Sequence, residues 1–295
     1  MKKNDQYSLK KKQKFYLNKA QEYVFQIAPR NLTAIASRRF GKSEGIIMPV
    51  LLRNVQAMPR SSGGIVGASY KQILTRTLPA TLHALGRLGY KEGVHYFVGR
   101  KAPKSSYFKE PYIKPRSWDY FIHWYNGSVN PLISQDIPYS SNSLTMDYLI
   151  GDEAKTLNRE KLVTETIPAV SGLPYFQDCP WHTGLNWLSD MPTTKSGYWL
   201  VEEKENMDTE LLKLIEGLLF ELWLLKSKST GSDYYNNKIY QLNRKINTFR
   251  KEMSLYVVYN VLDNLEIIGE RYVQDMYRNL PKFVFLTAIL SQLIK

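Results

Sequence analysis

The chain has one cysteine in 295 residues, Cys179, which excludes an intrachain disulfide framework and suits a reducing compartment. Histidine is scarce too: His83, His95, His123 and His182 are scattered, and only His182 stands in a C-x-x-H arrangement with Cys179. A four-ligand zinc set is missing, so Cys179 reads as a packed thiol. Long apolar runs are absent; the longest late stretch, Phe283 to Ile294, is too short to span a bilayer. Seven lysines fall within residues 1–20, but no apolar segment of the kind that completes a secretory signal follows them. The reading is a cytosolic protein with no membrane association. Acidic residues are also in short supply, with 27 Asp+Glu against 40 Lys+Arg and a formal charge of +13. That balance favours a polyanionic partner, nucleic acid or an anionic surface. A hydrophobic content of 43% is enough for one large core or two modest ones.

What is present begins with Ala36-Ser37-Arg38-Arg39-Phe40-Gly41-Lys42-Ser43, placed directly after the apolar run Leu32 to Ala36. A loop ending in glycine, lysine and serine suits phosphate: a turn at Gly41 lets backbone N–H groups converge on anionic oxygens. Lys42 supplies a mobile charge for the β and γ phosphates, and the Ser43 hydroxyl is a ligand type that Mg²⁺ accepts. A helix opening at Ser43 adds the positive end of its dipole. Ala36 stands where the strict pattern has glycine. Downstream, the apolar run Tyr148-Leu149-Ile150-Gly151 leads into Asp152-Glu153. Adjacent carboxylates at a strand tip fit nucleotide hydrolysis, the first for the Mg²⁺ shell and the second to orient and deprotonate water.

The first 200 residues alternate between strand and helix patterns. The strand to Ala36 precedes a helix from Ser43 to about Met58, bent or weakened by Pro49. Gly64–Ala68 reads as a short buried strand before a helix toward Leu88, a βαβ pattern. Tyr120 to Ser134 reads as a hairpin with a type I′ turn at Asn126-Gly127. Residues 92–115 read as a long loop whose Lys101, Lys104, Lys109, Lys114 and nearby Arg116 interleave with Tyr107, Phe108, Tyr112 and Trp118. Nucleic-acid contact, an intersubunit surface and a solvated insertion with packed aromatics all fit that texture. Gly184 to Leu188 is a further strand, ending in the polar stretch Ser189 to Thr194.

From Asp208 the period becomes helical. Leu211, Ile215, Leu218, Leu222 and Leu225 recur at steps of four and three, as do Tyr235, Ile239, Leu242, Ile246, Phe249 and Met253 beyond Thr230–Asp233. The pattern predicts an antiparallel helical hairpin capped at Asp208 or Thr209 and at Ser232 or Asp233, with Lys226, Lys228 and Lys238 near its tip. Leu255 to Leu262 resembles a strand, with Asp263 after it as a loop or cap residue. The remainder reads as helix.

In this order the motifs resemble those of the N-terminal ATPase portion of large terminases, the DNA-packaging motors of tailed bacteriophages. Ser37 to Ser43 is similar to the family's S-R-Q-x-G-K-[ST] loop except for Arg39 in place of glutamine. Gln21, with Gln26 as a rival, resembles the upstream glutamine that contacts adenine. Asp152 and Glu153 match the acid pair, and Ser189-Asp190-Met191-Pro192 is similar to the segment that couples hydrolysis to movement.

The resemblance implies an α/β fold of the P-loop NTPase, ASCE type: a mostly parallel central sheet flanked by helices, followed by a helical subdomain. It divides the chain into an ATPase core over residues 1–200 and a helical lid or linker over residues 201–295. It implies ATP and Mg²⁺ as cofactors. Glu153, Arg38 and Lys42 would be the catalytic residues, Gln21 and Ser37 to Ser43 the nucleotide-binding set, and Ser43 and Asp152 the metal ligands. The implied partners are double-stranded DNA, a portal protein, a small terminase subunit and further copies in a ring, a pentamer on the portal and a monomer in solution. The implied location is the host cytoplasm and, transiently, the procapsid. The family's RNase H-like nuclease would begin after the last residue, so cleavage is not expected of this chain. A helicase-like translocase and a P-loop nucleotide-binding protein without motor action are the alternatives.

Overall fold

The computed structural model describes residues 16–294; the lysine-rich start, residues 1–15, lies outside the described residues. Eight strands form one sheet in the order β3-β4-β5-β2-β6-β7-β1-β8. They are β1 (Asn31–Ala36), β2 (Gly63–Gly67), β3 (Tyr96–Val98), β4 (Phe121–Trp124), β5 (Val129–Ser134), β6 (Tyr148–Asp152), β7 (Gly184–Ser189) and β8 (Ser254–Tyr259). The run β5-β2-β6-β7-β1-β8 is parallel throughout, whereas β3-β4 and β4-β5 pair antiparallel. The sheet is therefore mixed, mostly parallel and flanked by helices, as the α/β reading expects.

Period-two alternation decides which residues face which layer. Leu32, Ala34 and Ala36 of β1, Tyr148 and Ile150 of β6 and Leu188 of β7 enter one core. There they meet Val24 and Ile27 of α1 (Lys19–Ile27), Met48, Leu51 and Val55 of α2 (Met48–Ala57), and Ala84 and Leu85 of α3 (Leu78–Arg87). Ile35, Leu149 and Trp187 point the other way and pack with Leu157, Leu162, Trp199 and Leu200. Strands buried on both faces read as continuous apolar runs, which is why each was visible in the sequence.

Pro49 does not end its helix, which runs on to Ala57. A wider turn over Ser43–Ile47, with Met48 N–H bonded to the Ser43 carbonyl, precedes it, so the missing proline donor falls where the helical register has already shifted. The same device recurs before Pro79, over Ile73–Thr77, and before Pro168, over Leu162–Thr166.

Three other expectations are corrected. The strand expected over Gly64–Ala68 lies one residue earlier. The turn after β4 is not type I′: Gly127 has φ +88° but Asn126 is not among the left-handed residues, and Trp124 both accepts from Gly127 N–H and donates to the Ser128 carbonyl. A type I turn with a glycine bulge gives this three-residue loop, and the Asn126 side chain is drawn away to the Val55 carbonyl at 2.7 Å. The loop expected over residues 92–115 contains β3, whose Tyr96 and Phe97 are buried against β4. Within it, Lys101 and Lys114 pair with Glu110, Tyr112 stacks on Tyr175, and Tyr107 is left 94% exposed.

The helical hairpin forms as the periodicity predicts, with α4 (Thr209–Ser227) and α5 (Asp233–Arg250) meeting at Leu218, Leu222, Leu242 and Ile246. Asp208 caps α4 by accepting from the Glu210 and Leu211 N–H groups. Residues 201–295 supply this hairpin and also β8, which pairs with β1 along its whole length. Asp263 is a cap residue as expected, accepting from the Asn260 N–H at 2.8 Å.

Below the sheet's lower edge, the fully buried Asp147 accepts from Ser62 N–H at 2.8 Å and Leu173 N–H at 2.7 Å, fixing the entry of β2 and β6. Asp147→Ala leaves two buried donors without an acceptor and should destabilise by about 2–5 kcal/mol. Urea unfolding is the check, and a loss below about 1 kcal/mol would show that the pin is dispensable.

Candidate nucleotide site

The loop after β1 is held from below by its own apolar residue. Phe40 is fully buried and stacks on Tyr259 at the end of β8, ring centroids 5.3 Å apart and planes 6° from parallel. Arg39 (φ +66°) and Gly41 (φ +88°) take left-handed conformations on either side, curling the chain into a cup. A side chain at Gly41 or Gly45 would meet the Gln21 amide, so both glycines admit Gln21 beneath the loop. Gln21 donates to the Phe40 carbonyl at 2.9 Å and accepts from Asn18 N–H at 3.1 Å. It is thus a brace for the loop; the rival Gln26 lies exposed and bonds to Glu22.

Among the described residues, the N–H groups of Gly41, Lys42 and Ser43 have no backbone acceptor. These are the donors that a helix start leaves unused, and they lie where an anion would be held. Lys42 is folded back onto the Ala36 carbonyl at 2.6 Å. Burial lowers its affinity for a proton, while Asp190, Glu153 and Asp152 act on it in the opposite sense. The loop and the acidic strand tip, far apart in sequence, therefore share one electrostatic site.

The strand order brings them together. β7 lies between β1 and β6, so three parallel strands deliver the phosphate loop, the Asp152-Glu153 pair and Ser189-Asp190 to the same edge of the sheet. Asp152 is buried, accepting from Thr77 Oγ1 and from Glu153 N–H, both at 2.9 Å; burial raises its pKa against those bonds. Glu153 leaves the strand with φ +50°, which turns its side chain off the pleat. Burial, and then the charge of Asp190, push its carboxyl up to about 7. Burial alone would raise Asp190, but Lys42 and Lys155 hold it below the usual carboxylate range.

Asp190 gathers the cations, with Lys155 Nζ at 2.8 Å and Arg38 Nε at 4.0 Å. Arg38 itself is 72% exposed, so its guanidinium is free to move. Ser189 accepts from Lys155 N–H at 3.2 Å, and Met191 is buried in the second core with Trp187 and Trp199. The segment Ser189 to Pro192 thus touches the charged cluster at one end and the hydrophobic core at the other.

The Ser43 hydroxyl makes no hydrogen bond among the described residues, and each Asp152 oxygen accepts only one, so both have lone pairs to give. No cluster of three or more His, Cys, Asp or Glu that would hold a metal occurs among the described residues. A magnesium ion needs none when one hydroxyl, one carboxylate and the substrate's phosphates supply its shell, so this donor set fits Mg²⁺.

The chain matches no protein-family profile and no curated protein. Solved structures do match. The large terminase ATPase domain of Thermus phage P74-26 superposes with a TM-score of 0.54 at 13% identity, covering 95% of each chain. The large terminase of a second, thermophilic bacteriophage gives a TM-score of 0.57 at 11% identity over 93% of this chain and 53% of that one, so the present chain spans about half of that protein. The same terminase has also been solved in complex with ATP-γ-S (TM-score 0.55, 12% identity, 94% of this chain and 53% of that one). The fold is that of a large-terminase ATPase domain.

Within this terminase-like fold, several contributors lie outside the sequence motifs. Asn264 donates to the Arg39 carbonyl at 2.9 Å and accepts from Asn18 at 3.1 Å. Arg38 N–H donates to the Ala288 carbonyl at 3.1 Å, and Ser37 N–H to the Tyr259 carbonyl at 3.2 Å. Thr77 has no sequence signal, because a threonine in a helical run carries no mark of an acidic partner. Asp190 was visible in the coupling segment, but its contact with Glu153 and Lys155 was not.

Because the folded-state pKa of Glu153 lies above its ordinary 4.5, the folded protein binds this proton more tightly than the unfolded chain. Its contribution to stability therefore falls as pH rises from 4.5 and is fully lost above about 7. Glu153→Gln removes that dependence and should be more stable than the parent by on the order of 2 kcal/mol at about pH 8, with the gap closing at about pH 4.5. Thermal melts of the nucleotide-free proteins test this; a gap independent of pH would contradict the burial argument.

Proposed function

We propose that this protein is an ATP-hydrolysing motor that drives double-stranded viral DNA into a procapsid. The observation that carries the reading is the convergence of Lys42, Asp152, Glu153 and Asp190 at one edge of β1, β7 and β6, beside unused N–H groups of a phosphate-type loop. Phosphoryl transfer asks the protein mainly for positioning and charge stabilisation. The Gly41, Lys42 and Ser43 amides and the Lys42 ammonium would hold the β and γ phosphates of ATP. Ser43 and Asp152 would hold Mg²⁺, which when bound neutralises phosphate charge. Glu153 would orient water and take its proton. Arg38, exposed and only loosely held by Asp190, would swing to the γ-phosphate in cis. Ser189 to Pro192 would relay loss of that phosphate toward the second core and the helical part, with residues 201–295 acting as lid and linker.

The basic charge supports a grip on DNA through its phosphates, as a packaging motor must accept any sequence. A portal protein, a small terminase subunit and a ring of copies, five on the portal, complete the proposal, with the host cytoplasm and the procapsid surface as its location. No helix of the described residues is long and apolar enough to cross a membrane.

ATP turnover with and without duplex DNA is the decisive measurement. Duplex should stimulate turnover, and the stimulation should fall steeply with added salt. Arg38→Ala should retain ATP binding and lose roughly 10³- to 10⁵-fold in kcat. Glu153→Gln should trap ATP unhydrolysed. Undiminished turnover by either variant would remove that residue from the mechanism. Turnover indifferent to DNA would reject the motor, and strand separation would point instead to a helicase-like translocase.

A further inference from the structure

An apolar cavity of about 620 Å³ lies between α1 and α2, lined along α2 from Met48 to Ala57, and the described residues set no carboxylate against the guanidinium in its wall. Arg53 on its wall is ten residues past Ser43, roughly 15 Å along the helix axis. Leu17, Phe25, Met48, Leu52 and Trp181 form much of the rest of the lining.

The Arg53 guanidinium stacks on Trp181, 4.6 Å from the ring centroid, and Trp181 is itself fixed by a 2.9 Å bond to the Ala28 carbonyl. Its Nε donates to Asn54 Oδ1 at 3.0 Å. Its Nη2 is sealed from solvent without an acceptor, and Nη1 makes no hydrogen bond among the described residues. The ionisable groups that act on it are Cys179, Arg250 and Tyr148, none of them a carboxylate; burial draws its pKa down to about 9. A guanidinium does not give up its proton in a protein, so a half-buried cation stands in the cavity wall without a carboxylate partner among the described residues.

Two features define what would complete it. With Nε held by Asn54 and Nη2 sealed, Nη1 is the guanidinium nitrogen left to meet a carboxylate oxygen, and the surrounding walls match an apolar body. A phosphodiester backbone fits poorly, because it needs several cations and water where this cavity offers one cation and hydrocarbon. The volume lies within the range of small-ligand sites.

We propose that this cavity binds a small organic carboxylate with an aromatic or aliphatic body, its carboxylate on Arg53 and its body against Trp181, Phe25 and Leu52. The proposal is independent of the motor reading.

Three probes on one frame test it by calorimetric titration: 3-phenylpropionate, 3-phenylpropanol and 3-phenylpropylamine. Propionate should bind about tenfold tighter than the alcohol, the worth of one charge-assisted hydrogen bond over a neutral one, and the amine should not bind. Arg53→Met should equalise acid and alcohol while leaving the alcohol's affinity unchanged. Arg53→Lys, which keeps the charge and loses the planar group stacked on Trp181, should reduce the preference without abolishing it, and serves if the methionine variant does not fold. Equal affinities in the parent protein, no saturable binding of the acid, or a preference that survives both substitutions would overturn the site, since a guanidinium that merely packs on Trp181 discriminates among none of the three.

Discussion

The structure depends on one electrostatic constraint: three carboxylates and a lysine share a partly desolvated edge of the sheet. Asp152, Glu153 and Asp190 repel one another there, and Lys42 and Lys155 are the cations that act on them. In a low-dielectric setting such a set is tolerated only when each charge is balanced or neutralised. Asp190 keeps its charge because Lys42 and Lys155, the latter 2.8 Å away, act on it, whereas burial and the charge of Asp190 outweigh Lys42 at Glu153 and push it toward the protonated form. Glu153 is thus partly protonated near neutral pH, and the proposed role as base would require that proton to leave. Rearranging Lys42 and Arg38 around phosphate would redistribute the field, and Glu153 is the group most sensitive to it.

A second constraint acts on the loop. A phosphate cup needs a fixed backbone with unused N–H groups, and the fixing must come from elsewhere. Here it comes from both ends of the chain: Gln21 and Asn18 below, Tyr259 and Phe40 stacked at the side, Asn264 and Ala288 bonded to Arg39 and Arg38. The Arg39 and Phe40 carbonyls and the Arg38 amide are occupied by these braces, while the amides of Gly41, Lys42 and Ser43 have no backbone acceptor among the described residues. The segment from Tyr259 to Ala288 is therefore part of the site's architecture, although it bears no recognisable nucleotide motif.

That division explains what was legible in the sequence. The loop and the acid pair could be read because phosphate chemistry restricts residue type and spacing tightly. Strands β2 and β6 could be read because two-sided burial leaves them mostly apolar along their length. Bracing contacts such as Asn264 to Arg39 could not, since they join a side chain to a carbonyl across 225 positions and any polar residue of suitable reach would serve. β3 was missed because three residues are too short for a period, and its strand character comes from pairing with β4. The type I′ turn failed for a related reason: Asn126 has a tertiary partner in Val55, and that bond outweighs the local preference of Asn-Gly. Pro49 could be read as a point of weakness, but the widened turn over Ser43–Ile47 that precedes it carries no sequence mark of its own.

The connection between the helical hairpin and the phosphate loop follows from the same contacts. α5 ends at Arg250, whose Nε donates to the Ile27 carbonyl at 2.8 Å and so ties the hairpin to the end of α1. Four residues later β8 begins, pairing in parallel with all of β1 from Asn31 to Ala36 and ending at the ring that holds Phe40. A sheet strand with six paired residues resists stretching far more than a loop does, so α5 and β8 together form a stiff path from the hairpin to Phe40. Any displacement of the phosphate loop on nucleotide exchange must either break the Phe40–Tyr259 stack or move β8 with it. The second course costs less where β8 is an edge strand, free on its outer side, and that is its place in this sheet. Under the proposed mechanism, the position of β8 at the sheet margin, rather than the length of the hairpin, is what would carry movement of the loop to the helical part.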